Sequence, residues 1–591
     1  MRRPTAGRHG RGERGSGIQG ARILALASVR HRGPGCGYLV RPVAPPVRIV
    51  PLGGLGEVGM NCMAVEADGR IAVVDCGVMF PNESIGVDVI APDFAWLRER
   101  KEQIGAVFLT HGHEDHVGAL PLLLREVKVP VYGTRFTLAL LRPRLAEAGV
   151  EADLREVQPG DVRPAGDAAP ISAEWIAVTH SIPDACGLAL QTPQGTLLHS
   201  GDFKLDAHPV AGPKTDLDRI ESLGRRGVRL LMSDSTNAER PGSSLSESLV
   251  GPTLEEHMAT VRGRVFVACF ASNVHRIQQI ASAARATGRR LCFLGRAMEA
   301  NVATARQLGL LDIAAWQPIG ADQARDLPPR ELCVLTTGTQ GEPRAALARL
   351  ARGDHPDLSI ESGDLVILSS RFIPGNEIAV GQVVNEVCRR GAEVAYEGLT
   401  PLHVSGHAHQ DEQRRLIALA RPEHFVPIHG EYRHLARHAA HAAAEGVAGR
   451  HLIVDGQVLE LDGLGARVRE TATTGRVYVD RDALIGDEVG PLVIKDRRLL
   501  AEAGLVIAVL VVEKASGAVV RGPELYARGV AGFDLAEAEV RGDVVRALEE
   551  LSPAARMDVN EVQEVLRTSV RRFFRRSGAR RPAVLPVVLE L

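Results

Sequence analysis

The sequence has no apolar run approaching the ~20 residues of a membrane-spanning helix. Its 591 residues read instead as globular protein outside the membrane. Strong net charge is also missing. Seventy basic residues against 72 acidic ones leave −2, so no global basic field attracts polyanions, and nucleic-acid binding has to rest on local sites. The eight cysteines, at positions 36, 62, 76, 186, 269, 292, 333 and 388, form no CxxC pair. That argues against a zinc knuckle or a disulfide framework and for buried, reduced thiols in a cytoplasmic protein. Residues 1–44 hold a single acidic residue, Glu13, among many Arg and Gly, and show no periodicity. They read as a disordered basic tail, with a transit peptide or a start placed too far upstream as alternatives. The chain is too long for one core and implies about three or four domains.

What the sequence does have is Thr110-His111-Gly112-His113-Glu114-Asp115-His116, directly after the apolar run Ala106–Leu109. A short apolar run ending in Gly and polar residues reads as a buried strand running into a loop. His-x-His-x-Asp-His at that place is the pattern of a two-metal site, and imidazole with carboxylate suits Zn²⁺ or Mn²⁺. The bland alternative is a solvated, histidine-rich loop.

Further strand-end residues supply what such a site lacks. Val47–Leu52 reads as a strand, followed by Gly53-Gly54-Leu55-Gly56-Glu57-Val58-Gly59. This loop has no P-loop Lys-Ser/Thr and precedes another strand, so a tight hairpin is expected rather than a nucleotide site. Arg70–Gly77 is a buried strand ending near Asp75, an acid placed to orient a metal-ligating histidine. Val117 to Val127 reads as a helix with Asp115 and His116 at its N-terminal edge. Trp175–Thr179 ends at His180, and Thr196–His199 leads to Asp202. Alone, each is an ordinary polar cap; together they offer a third histidine and a bridging carboxylate.

Residues 213–395 alternate strand-like and helical runs. Val228–Met232, Arg264–Cys269, Arg289–Leu294, Leu332–Thr336 and Leu365–Ser369 read as strands and His275–Thr287 as a helix, which implies a doubly wound parallel sheet. Its strand ends carry Ser233-Asp234-Ser235-Thr236-Asn237, Phe270-Ala271-Ser272-Asn273, Thr337–Glu342 and Ser370–Glu377. Such side chains bind a phosphodiester backbone or simply make turns. After this insert come His403-Val404-Ser405-Gly406-His407 and Pro427-Ile428-His429-Gly430-Glu431-Tyr432-Arg433. A C-terminal α/β unit follows, with strands Gly504–Val512, Ala518–Arg521 and Ala583–Leu591 and helices Leu535–Leu551 and Asn560–Arg576. Arg571, Arg572, Arg575, Arg576, Arg580 and Arg581 surround Phe573 and Phe574, as a solvated helix face or an RNA contact.

Asp75, the HxHxDH run, His180 and Asp202 resemble the successive motifs of the metallo-β-lactamase superfamily, whose fold is an αββα sandwich. With the insert, HxSGH and PxHGEYR, the chain resembles the β-CASP nucleases. GGLGEVG, THGHEDHVGAL, HSIPD, GDFKLD, SDSTNAERPG, FASNVHR, PGNE and HVSGHA together resemble the ribonuclease J family, over roughly residues 47–591. The resemblance implies a first lactamase part at 45–212, a β-CASP domain at 213–395, a second lactamase part at 396–455, a linker at 456–475 and a small α/β domain at 476–591. It implies a two-metal ribonuclease with endonuclease and 5′-3′ exonuclease activity in RNA maturation and mRNA decay. His111, His113 and His180 would hold one ion, Asp115, His116 and His429 the other, and Asp202 would bridge them. His407 would contact the scissile phosphate or protonate the leaving oxygen, with Asp234 tuning it. Ser272, His403, Val404, Ser405 and Gly406, with His407, are candidates for a 5′-monophosphate pocket. Two divalent ions, Zn²⁺ first and Mn²⁺ or Mg²⁺ as alternatives, are expected, with single-stranded RNA as substrate. A homodimer or homotetramer, and partners in an RNA-decay complex, are also implied. A DNA-directed β-CASP nuclease and an inactive scaffold subunit are the competing readings.

Overall fold

The computed structural model describes residues 44–591, apart from 82–85, 168, 314–317, 374, 397–400 and 481–487. Residues 1–43 of the basic tail, with Cys36, and Pro374 of the PGNE run lie outside the described residues.

Two sheets face each other. The first has eight strands, which from one edge to the other are Gly465–Thr471, Gln457–Asp462, Val47–Gly53, Cys62–Ala67, Arg70–Val74, Ile104–Phe108, Val131–Thr134 and Leu154–Val157. The second has seven: Gly449–Arg450, His424–Ile428, Val228–Asp234, Gly195–His199, Cys186–Thr192, Ser172–Ala177 and Val162–Pro164. Successive side chains of a strand point to opposite faces. Accordingly Ile49, Val65, Ala72, Val74 and Phe108 meet Trp175, Leu188, Leu190, Leu230, Met232 and Val426 between the sheets. Val50, Val73 and Val107 of the same first-sheet strands face outward, under helices Leu120–Glu126 and Arg135–Glu147. The outer face of the second sheet is covered in the same way. This is the expected αββα sandwich. Trp175, fully buried between the sheets, packs edge-on to Phe108 at 5.5 Å and donates its indole N–H to the Leu109 carbonyl at 3.0 Å. It thereby pins the strand end from which the histidine loop departs.

The insert carries its own sheet of five parallel strands, in the order Arg290–Leu294, Leu332–Thr336, Val265–Ala268, Leu365–Leu368 and Glu393–Ala395. One expected member is absent from it. Val228–Asp234 pairs in parallel with Gly195–His199 and with His424–Ile428, inside the second lactamase sheet. The stretch 456–475 is no linker: Gln457–Asp462 and Gly465–Thr471 form a hairpin on the edge of the first sheet, against Val47–Ile49. The strand Arg476–Val479, expected in the last domain, pairs instead with Val89–Pro92.

The expected helix at 117–127 is two pieces, Glu114–Val117 and Leu120–Glu126, so Asp115 and His116 lie inside a helical turn. Pro121 sits where a helix tolerates it, in the first turn of the second piece. The C-terminal unit packs helices Phe533–Glu549 and Val559–Arg576 on a sheet in the order Val519–Arg528, Leu505–Val512, Ala583–Glu590. Phe573 and Phe574 are buried in its core while the neighbouring arginines face solvent, and Arg576 pairs with Asp543. These two rings are therefore packing residues. Among the described residues six cysteines are buried free thiols and Cys388 is an exposed one, and no helix is long and apolar enough to cross a membrane.

Candidate metal centre and active site

The ends of parallel strands from both sheets converge on one place. Asp75 follows Arg70–Val74, and Thr110–His116 follows Ile104–Phe108. His180, Asp202 and His429 follow strands of the second sheet, and Asp234 ends one of them. The donor atoms meet closely. His111 Nε2 lies 3.0 Å from His113 Nδ1, which lies 3.1 Å from His180 Nε2. Asp202 Oδ2 is 3.8 Å from both His111 Nε2 and His180 Nε2. The same oxygen is 3.2 Å from His116 Nε2 and 3.3 Å from His429 Nε2, and Asp115 Oδ2 is 3.7 Å from each of these. Thus His111, His113 and His180 form one group and Asp115, His116, Asp202 and His429 another, with Asp202 reaching both. A tetrahedral ion with bonds of about 2.0–2.1 Å spaces its donors roughly 3.3 Å apart, so the donor set fits metal ions.

The electrostatics of the two groups differ. Burial, joined by repulsion among neighbouring imidazoles, pushes His111 and His113 well below the usual imidazole range and His180 down to about 4. Their lone pairs stay unprotonated. Burial acts the same way on His116 and His429, but the Asp202 and Asp115 carboxylates outweigh it. His116 is raised well above its ordinary value and His429 to about 9. A cation placed there takes over the role of those protons.

Asp75 accepts hydrogen bonds from Thr110 N at 2.8 Å and Thr110 Oγ1 at 2.7 Å, and lies 2.8 Å from His116 Nδ1. It fixes the histidine loop to the strand and leaves His116 Nε2 facing Asp202. Next to it, a Cβ on Gly77 would stand 1.7 Å from the Asp115 carbonyl oxygen, so the loop closes only over glycine. His429 adopts φ 53°, a conformation unusual for a non-glycine residue. The Gly-rich loop holds it there. Leu55–Gly56 pairs in parallel with Gly430–Glu431, and Leu55 N donates to Asp455 Oδ1 at 3.0 Å. GGLGEVG thus joins the antiparallel strands Val47–Gly53 and Cys62–Ala67, as expected of a hairpin, and in addition straps the backbone behind His429.

His407 Nδ1 lies 2.8 Å from Asp234 Oδ2 and 3.9 Å from Asp202 Oδ2. Burial would lower its pKa; the Asp234 charge and hydrogen bond raise it above the ordinary value. Of the candidate phosphate residues, Ser405 Oγ accepts from Asn237 Nδ2 at 2.7 Å and from His407 N at 3.1 Å. His403 is half-buried, and Val404 is buried so that only its backbone is available. Gly406 orients His180: its carbonyl lies 2.7 Å from His180 Nδ1, and a Cβ there would meet the His180 ring at 2.9 Å. Ser272 sits in the turn before helix Val274–Ala286, whose buried Arg276 donates to Ser369 Oγ and to the Leu402 carbonyl beside His403. Two asparagines support the site: Asn61, which the sequence offers only as the start of a strand, and Asn237, which it offers only as one of several strand-end residues suited to a phosphodiester backbone. Asn61 donates Nδ2 to the Asp115 carbonyl and lies 3.1 Å from His116 Nε2. Asn237 holds the HVSGH loop. A lone Asn after a strand reads as a turn residue, and only its partners disclose more.

Four family descriptions match along the chain: the metallo-beta-lactamase superfamily over 55–237, the Ribonuclease J beta-CASP domain over 262–387, the Zn-dependent metallo-hydrolase RNA specificity domain over 391–452 and the Ribonuclease J C-terminal domain over 492–591. The chain is 40% identical over 555 residues to Ribonuclease J of Mycolicibacterium smegmatis, covering 93% of this chain and 98% of that protein. The chain belongs to the ribonuclease J family. It is 36% identical to Ribonuclease J2 of Bacillus subtilis, over 92% of this chain and 99% of that one, and 36% identical to Ribonuclease J of Helicobacter pylori, over 92% and 79%. It is accordingly a hydrolytic, metal-binding ribonuclease.

Proposed function

We propose that the chain hydrolyses RNA at a centre of two divalent ions and that it degrades from a 5′-monophosphate end as well as cutting internally, in RNA maturation and mRNA decay. Zinc suits the imidazole-rich donor set best, with manganese or magnesium as alternatives. The observation that carries this reading is the sharing of Asp202 Oδ2 by two donor groups. Two ions bound there would lower the pKa of a water and neutralise charge on the phosphate.

The chain's own residues do the rest. Asp202, His111, His113 and His180 form one cradle, and Asp115, His116, His429 and the same Asp202 the other. Asp75 and the Gly406 carbonyl orient the rings of His116 and His180. Asp234 fixes His407 through Nδ1 and favours its protonated form, which leaves Nε2 to give a proton to the departing 3′ oxygen. His403, Ser405, the backbone of Val404 and Gly406, and Ser272 take the terminal phosphate. Three facts support the pocket. His403 Nδ1 is buried with no hydrogen-bond partner among the described residues. Burial, then the charges of Arg276, Arg371, Lys204 and Arg240, push its pKa well down, so the surroundings are cationic. Ser405 Oγ already accepts two hydrogen bonds, so its proton is available to a phosphate oxygen.

Assembly into a homodimer or homotetramer fits the C-terminal sheet. Opposite its packed face, Ile507, Val509 and Val511 lie beside Leu585, Val587 and Leu589, and Leu585 and Leu589 are half exposed. Water-facing strands are ordinarily polar on that side. Buried free thiols suit a reducing, cytoplasmic setting.

The test is metal-loaded protein with RNAs of one sequence bearing a labelled 5′-monophosphate or 5′-triphosphate, beside the same sequence as single-stranded DNA. Release of labelled mononucleotide, faster from the monophosphate RNA, is expected. No cleavage by a metal-loaded sample, or DNA cut as well as RNA, overturns the reading.

A further inference from the structure

Asn237 stands where three parts of the molecule meet. It follows the strand Val228–Asp234 of the second lactamase sheet and is 2% exposed. Its Nδ2 donates to Ser405 Oγ at 2.7 Å and to the His407 carbonyl at 3.1 Å. Its Oδ1 accepts from Arg371, at 3.0 Å, in the loop that ends the insert strand Leu365–Leu368. The amide cannot be turned round. A guanidinium only donates and a peptide carbonyl only accepts, so Oδ1 faces Arg371 and Nδ2 faces His407. The turn that carries Asn237 is itself held from behind. Gln413 Nε2 donates to the Asp234 carbonyl at 3.1 Å. Ser235 Oγ lies 3.0 Å from His438 Nδ1, and the Ala238 carbonyl lies 2.9 Å from His441 Nε2. This is the work of the histidine-bearing face of helix Tyr432–Ala444. Asn237 is thus a fixed post, and Arg371 and the HVSGH loop are the parts that lean on it.

We infer that Asn237 is a positioning residue that couples recognition of the RNA 5′ end to cleavage, by joining Arg371 and Ser405 on the side of the phosphate pocket to the His407 backbone on the side of the reacting bond. This rests on the phosphate-pocket reading above. Arg371 is one of the cations whose charge reaches His403, and Ser405 is a pocket residue. A terminal phosphate that engages the pocket therefore pulls on groups that share one amide with His407. A phosphate-free end leaves that linkage slack.

Asn237→Asp separates the two arms. It keeps an oxygen for Arg371, and the Ser405 hydroxyl can reverse its bond and donate to the new carboxylate, but the His407 carbonyl can only accept and loses its donor. The readout is kcat/KM of metal-loaded protein on two RNAs identical except for a 5′-monophosphate or a 5′-hydroxyl, with metal content and thermal midpoint measured on the same samples. The ratio between the two RNAs is expected to fall by about tenfold in Asn237→Asp, the factor that goes with one lost hydrogen bond to a well-ordered partner. A merely structural role would slow both RNAs alike and leave the ratio at its wild-type value, which would overturn the inference. Arg371→Gln, alone and combined with Asn237→Asp, closes a double-mutant cycle. No further fall of the ratio in the double variant is expected, and independent, multiplying losses contradict the linkage. If Asn237→Asp does not fold, Asn237→Ser replaces it in the same cycle. If wild-type protein shows no preference for the monophosphate, the pocket reading itself fails, an outcome distinct from a wild-type preference that Asn237→Asp retains.

Discussion

The two donor groups of the candidate metal centre are built differently. His111, His113 and His180 come from neighbouring stretches of the first lactamase part, and all three are held unprotonated. The other half needs His429, which arrives only after the whole insert, and its histidines hold protons against two carboxylates. The first is a set of ready lone pairs. The second is a charge-balanced cluster in which protons occupy places a cation can take. The difference teaches that the insert does more than add a wall to the cleft: the chain's return from it completes one half of the centre, and Leu55–Gly56 straps that half in place.

The largest effect that tests this contrast is the loss of the shared oxygen. Asp202→Ala is expected to abolish RNA cleavage and to lower metal content in both halves, read by elemental analysis of the purified chain. His407→Ala is its counterpart. It is expected to keep the wild-type metal content and lose about 10²–10⁴-fold in cleavage rate, the usual worth of a general acid. Cleavage by His407→Ala at the wild-type rate would remove that residue from the mechanism.

A smaller effect separates the halves by their protons. Near pH 7 an ion entering the three-histidine half displaces none, since those pKa values lie well below neutrality. An ion entering the other half displaces them, because His429 titrates at about 9. Its affinity therefore rises with pH, and that half empties first on acidification. Calorimetric titration in buffers of different ionisation enthalpy counts the protons. Equal release for both ions would contradict the distinction.

The smallest effect concerns the strap. Burial, and then the nearby Glu57 carboxylate, raise Asp455 to about 7. A carboxyl whose folded pKa exceeds its unfolded value stabilises the fold at low pH and loses that contribution as pH rises through about 7. Asp455→Asn keeps an acceptor for Leu55 N without the charge. Its melting midpoint is expected to exceed the wild-type value by a few degrees at pH 8 and to match it near pH 4. A lower midpoint at pH 8 would show that the charged form is the stabilising one.

Much of this was legible in the sequence, for a physical reason. Strands such as Val47–Gly53 and Ile104–Phe108 are short apolar runs, and metal ligands have to stand where such runs end. What was not legible depends on pairing between distant segments. Val228–Asp234 looks like any strand of an alternating α/β insert, and only its partners, Gly195–His199 and His424–Ile428, put it in the lactamase sheet. In the hairpin at 457–471 the inner strand buries Val458, Leu459 and Leu461, but the outer strand Gly465–Thr471 lies on the sheet edge and is largely polar and exposed, so the stretch resembles a linker. The parallel pairing of Leu55 with Gly430 spans most of the chain and leaves no local trace. Likewise the tasks of Asn61 and Asn237 consist wholly of partners brought from elsewhere.

The number of ions bound by His429→Ala puts the division of the centre to the most direct test. One ion per chain, retained by His111, His113 and His180 with Asp202, is the expected result for a centre whose second half alone depends on the return strand. Two ions retained, or none, would contradict it.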